Sequence, residues 1–123
     1  MMTRDFEKWA LTVLKKYQKI LLLDDHTLSF KYRPLAKDIV MEHDCNYPYK
    51  DASIWYGDMA LEWWKKKKHE DLKQVMIHEL CHAIVFPLAE VAGSRFVTRE
   101  TVDNEMERLT DHIANVIIKY ESN

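Results

Sequence analysis

The chain predicts an α+β fold with helices packed on one face of a small sheet, on three observations. A helical apolar periodicity runs from about residue 4 to about residue 21. Three or four short strand-like segments follow, broken by Pro, Gly and Asn. Two further helical patterns cover about residues 70–86 and 101–120. At 123 residues the expectation is one domain, 1–123. Hydrophobic residues make up 47%, enough for a compact core, and two Gly and three Pro argue against a disordered chain.

The elements follow in order. Thr3 is placed to cap a helix from Arg4 to Leu21, with Phe6, Trp9, Val13, Tyr17 and Ile20 as its apolar stripe. His26–Tyr32 reads as a strand that Pro34 ends. Ile39–Cys45 suits a second strand, with weaker alternation, and Asn46-Tyr47-Pro48-Tyr49 reads as a turn. Ala52–Tyr56 is a third strand closed by Gly57-Asp58, and Met59–Leu61 is a candidate fourth. Trp63-Trp64 then precedes four lysines, Lys65–Lys68. Aromatics beside a basic run can stack on bases and contact phosphates. Glu62, Glu70 and Asp71 dilute that charge, so the stretch is read as a solvated turn with the Trp pair anchored in the core.

Glu70 and Asp71 open the next helix, and Leu72, Val75, Met76, Leu80, Ala83 and Ile84 recur at helical spacing until Pro87. A helix apolar around most of its circumference is a buried one. Yet it carries His78-Glu79-Leu80-Cys81-His82, which fits H-E-x-x-H, the helical zinc-site pattern of metalloproteases. Positions i and i+4 share a face, so both imidazoles can reach one ion, and Glu79 is near enough to take a proton from water there. Buried polar groups need partners. A lone histidine would be read as hydrogen-bonded to backbone, whereas this trio favours a metal. Cys81 reads as a small buried side chain rather than a ligand.

The last helix, Thr101–Tyr120, carries the apolar stripe Val102, Met106, Leu109, Ile113, Val116 and Tyr120. Glu107 and Asp111 lie opposite it with Ala114 and Ile118, so this helix is expected between two neighbours, one of them the His78 helix. A catalytic zinc takes three protein ligands and leaves a position open. Candidates for the third, on or near this helix, are Glu107, Glu105, Glu100, Glu90 and His112.

Glu107-Arg108-Leu109-Thr110-Asp111 resembles the E-x-x-x-D pattern of the gluzincin metallopeptidases. The stretch His78–Leu88 (HELCHAIVFPL), with the E-R-L-T-D helix after it, is similar to small H-E-x-x-H proteins of phages and prophages and, more loosely, to ImmA/IrrE-type peptidases. The specific part covers about residues 70–120. The resemblance implies a zincin-like domain and a zinc-dependent peptidase, a regulatory protease of a phage or mobile element. It implies Glu107 as third zinc ligand beside His78 and His82, Asp111 as the partner that orients His78, and Glu79 as general base. It further implies that Ala52, Ser53, Ile54, Trp55 and Tyr56 form an edge strand that pairs with an extended substrate. Tyr47, Tyr49, Tyr56 and His112 are candidates for stabilising an oxyanion, although the structural reading is favoured for each. The alternative is a binding or regulatory protein that keeps the zinc site.

A net charge of −2 gives no general pull toward nucleic acid or anionic membrane. No uninterrupted apolar run reaches about 18 residues, and Met1–Lys8 lacks a signal-peptide pattern. Cys45 and Cys81 are too few for a disulfide framework. The expectation is a cytoplasmic protein (host cytoplasm if phage-encoded) acting on a protein or peptide substrate, with no membrane and no nucleic-acid partner.

Overall fold

The computed structural model describes residues 2–45, 49–94 and 96–122, the side chains at 117, 118, 121 and 122 excepted. Among them the order is α1 (Met2–Ile20), β1 (Thr27–Tyr32), β2 (Met41–Asp44), β3 (Asp51–Tyr56), α2 (Asp58–Lys65), α3 (His69–Ala92) and α4 (Arg99–Ser122). This is an α+β arrangement. The expected turn at 46–49 lies outside the described residues except for Tyr49.

The sheet has the order β1-β3-β2, with β1 parallel and β2 antiparallel to β3. Side chains alternate across a strand. On β3 this buries Ala52, Ile54 and Tyr56, and β1 adds Phe30 to the same core. From α1, Phe6 meets Tyr56 and Phe30 edge-on, with ring centroids 5.0 and 5.6 Å apart. Edge-to-face packing suits the ring quadrupoles. Phe6, Ala10 and Leu14 form the buried line of α1, with Trp9, Val13 and Tyr17 packed alongside. Thr3 lies inside α1 rather than at its cap. The opposite sheet face is polar: Arg33 lies over Trp55 and pairs with Glu42 and Asp44, and Trp55 Nε1–H donates to Asp44.

The region expected as a fourth strand is α2. Met59 and Ala60 belong to a helix because Asp58–Lys65 places Ala60 in the core and Trp63 and Trp64 against it, which a strand could not do at that spacing. The four lysines are how α2 ends. Lys67 adopts φ 58°, its N–H donates to Trp64 O, and Lys68 N–H donates to Trp63 O. That is the Schellman arrangement, in which a left-handed residue satisfies the last carbonyls. Leu22 does the same for α1, with φ 58° and the bonds Leu22 N–H to Lys19 O and Leu23 N–H to Gln18 O.

α3 is the centre of the fold, touching α1, α2, α4, β2 and β3. It is long and apolar enough by composition to cross a membrane, and its Leu72, Met76, Leu80, Ala83 and Ile84 pack into the core. It does not stop before Pro87 as expected but runs on to Ala92. Proline removes one N–H and crowds the preceding turn. Here Val91 is buried beyond it and α4 returns alongside, so tertiary packing carries the helix through.

α4 turns differently from expectation. Its inward line is Val102, Glu105, Leu109, His112 and Val116, while Met106, Ile113 and Tyr120 are 51%, 47% and 74% exposed. The polar members of that line have partners. Glu105 pairs with Arg108, whose guanidinium donates to Ile84 O, and His112 Nε2–H donates to Leu21 O at 2.7 Å. His112 thereby satisfies a carbonyl at the end of α1.

A left-handed non-glycine residue costs about 1 kcal/mol. Lys67→Gly is therefore expected to raise stability to urea by about 0.5–1 kcal/mol. No gain would contradict the assignment of Lys65–Lys68 as a helix cap.

Candidate metal and catalytic site

His78 and His82 lie one helical turn apart on α3, and Glu79 projects about 100° away from His78, toward the sheet. Glu79 is 8% exposed, His82 is half-buried and His78 is exposed. The His78 and His82 rings stand at 82° to each other, with their Nε2 atoms 3.2 Å apart. Two nitrogens about 2.0–2.1 Å from a tetrahedral zinc lie about 3.3–3.4 Å apart. The pair therefore fits a shared metal ion. Without one, the same separation suits an N–H···N hydrogen bond between neutral rings.

Glu79 meets a residue that was not among the sequence candidates. His43 Nδ1 lies 3.1 Å from Glu79 Oε2. A carboxylate only accepts, so the imidazole N–H donates. The ring of His43 also stacks on His82, with centroids 3.9 Å apart and planes 8° from parallel. His43 reaches this place because β2 alternates. Met41 is buried toward the helices, and His43 two residues later shares its face. The sequence signal was available: Ile39, Met41, His43 and Cys45 are alternate positions, and His43 is the one imidazole in an otherwise apolar or thiol series.

His43, Glu79 and His82 offer nitrogen and oxygen atoms within 4.8 Å of one another. Proximity alone would make all three ligands of one ion. Ring geometry decides otherwise. Imidazole lone pairs lie in the ring plane, and two rings stacked nearly parallel at 3.9 Å keep those planes apart. An ion in the plane of His82 is out of the plane of His43. The perpendicular His78–His82 pair has no such conflict.

The structure does not bring the other expected groups to this point. Glu107 and Asp111 are exposed on α4, on the side away from the inward line, because α4 presents Glu105, Leu109 and His112 inward instead. Glu105 lines a cleft of about 230 Å³ with Cys45, Ala83, Phe86 and Arg108, next to the His82 turn of α3. Larger clefts of about 440 and 430 Å³ lie at the α3–α4 turn and between the ends of α1 and α4, apart from these imidazoles.

Strand β3 is not an edge. Thr27–Tyr32 pairs along one side and Met41–Asp44 along the other, so the backbone of Ala52, Ser53, Ile54, Trp55 and Tyr56 is engaged on both sides. The exposed edge beside the site, among the described residues, belongs to β2. The oxyanion candidates are also dispersed. Tyr56 is fully buried among Phe6 and Phe30, Tyr49 is exposed, His112 is bonded to Leu21 O, and Tyr47 lies outside the described residues.

Both thiols are held in the neutral form in the metal-free protein. Burial pushes Cys45 up to about 11, helped by the carboxylates of Asp44, Asp51 and Glu79. Burial also raises Cys81, which stays a free, half-buried thiol between the two histidines.

Burial holds His82 below its ordinary value of 6.5; the charges of His43 and His78 act the same way, and Glu79 opposes them. With the folded value lowered, the unfolded chain takes up this proton first as pH falls. The contribution is therefore full above pH 6.5 and lost as pH drops through the lowered value. The metal-free protein should melt at lower temperature as pH is taken from about 7.5 to about 5, and His82→Gln should flatten that slope. An equal slope in the variant would place the titrating group elsewhere.

Comparison of the chain with protein-family models, with curated proteins and with solved structures finds no match.

Proposed function

We propose that this is a zincin-like, zinc-dependent peptidase of the cytoplasm, a regulatory protease of a phage or mobile element. The convergence of His78 and His82 Nε2 atoms to 3.2 Å beside a buried glutamate carries the reading. His78 and His82 would hold the ion. Zinc, when bound, supplies the Lewis acidity that makes water nucleophilic at neutral pH and polarises a carbonyl. Glu79 accepts the proton of the attacking water and returns it to the leaving amine. An extended peptide would align on the open edge of β2, which stands beside the site, taking the part that β3 cannot play.

The third ligand is proposed from α4. The gluzincin resemblance assigns it to Glu107 with Asp111 behind His78. The packing favours Glu105, which already faces the core side and lines the cleft next to the His82 turn. A second reading, a binding or regulatory protein on this scaffold, draws support from one observation: among the described residues no third ligand atom joins both His78 and His82.

The purified chain should contain about one zinc, and His78→Ala and His82→Ala should each remove it. Of Glu105→Ala and Glu107→Ala, the one that weakens zinc binding identifies the third ligand. Glu79→Gln should keep the zinc while casein cleavage falls about 10²–10⁴-fold. Zinc retained with cleavage absent in the unaltered chain would favour the binding protein. No zinc uptake at all would end the peptidase reading.

A further inference from the structure

Glu79 is buried at 8% exposure in the middle of an apolar helix, and its position matters only if its carboxylate is aimed. A buried carboxylate without a donor is costly and reorients or takes up a proton. The donor it has comes from the sheet and not from its own helix. β2 projects His43 onto α3, where Nδ1 stands 3.1 Å from Glu79 Oε2. The same ring lies flat on His82 at 3.9 Å. Two motif residues, one proposed as base and one as ligand, are thus fixed by one imidazole from another layer of the fold.

We propose that His43 is a positioning residue that aims the Glu79 carboxylate through its Nδ1–H and braces the His82 ring by stacking, without binding the metal itself. This rests on the peptidase reading of His78, Glu79 and His82. The parallel rings exclude an ion lying in the planes of both His43 and His82. The two contacts are separable by substitution. His43→Asn keeps a side-chain N–H for Glu79 and loses the stack. His43→Phe keeps an aromatic face for His82 and loses the N–H. Residues that orient groups at a metal site typically cost about 10–100-fold when replaced.

The test uses the full chain loaded with zinc, with casein as substrate, and reads three quantities for the wild type and both variants. Zinc affinity should stay within about threefold in His43→Phe, which keeps the stack, and fall about 10-fold in His43→Asn, which loses it, whereas loss of a ligand costs far more. For His43→Phe, kcat on casein should fall about 10–100-fold with KM unchanged, and His43→Asn should recover most of that loss. Imidazole proton–nitrogen NMR should show His43 protonated at Nδ1, and Glu79→Gln should shift that resonance. His43→Phe cleaving at the wild-type rate would overturn the proposal, as would loss of zinc in both variants, which would make His43 a ligand. Should the zinc-loaded wild type not cleave casein, the peptidase reading fails by itself. The NMR signature then still judges the contact: an Nδ1 proton insensitive to Glu79→Gln, or none, overturns it.

Discussion

A carboxylate in the middle of an apolar helix is the constraint around which this molecule is arranged. α3 is the element that every layer touches, and an all-apolar helix there would satisfy packing without further demands. Glu79 breaks that pattern and needs a donor that its own helix cannot supply, since the α3 backbone N–H groups around it are engaged within the helix. The sheet supplies the donor through His43. The contact ties the β2 edge to α3, and the same imidazole lies flat on the ring of His82.

The rest of the fold makes that contact possible. Phe6, Phe30, Tyr56 and Trp64 form a ring cluster that locks α1 to the sheet and to α2. β3 lies at the centre of the sheet, buried on one face, and β2 is held to it in an antiparallel register that sets His43 opposite Ile54. A one-residue slip would turn His43 to the polar face with Arg33 and Trp55. The Met41–Tyr56 pairing in the same register buries two core side chains together, so the hydrophobic core and the candidate site share one register.

Much of this was legible in the sequence, and the misses have physical causes. α1, three strands, the motif helix and the last helix follow from periodicity, and H-E-x-x-H named His78 and His82, whose imidazoles meet, and Glu79, which is buried near His82. Met59–Leu61 is too short to show its period, so the choice between strand and helix fell to the Trp63–Trp64 packing that no local rule contains. Pro87 signals a stop that tertiary contacts override. α4 carries two overlapping apolar lines sharing Val102, Leu109 and Val116, and only its single large neighbour decides that Glu105 and His112 turn inward while Met106 and Ile113 turn out. Strand order is a long-range property: nothing in Ala52–Tyr56 tells centre from edge. His43 was within reach, as the ionisable residue on the inward positions of β2, but its meaning depends on α3 lying across that face.

The most direct test is X-ray absorption at the zinc edge on the loaded full chain. The account predicts two imidazole nitrogens at about 2.0–2.1 Å, the remaining ligands oxygen, and no sulfur. Three imidazoles would make His43 a ligand and contradict the geometry argued from its stacking on His82. Sulfur at about 2.3 Å would bring in Cys81 or Cys45 and point to a structural ion in place of a catalytic one.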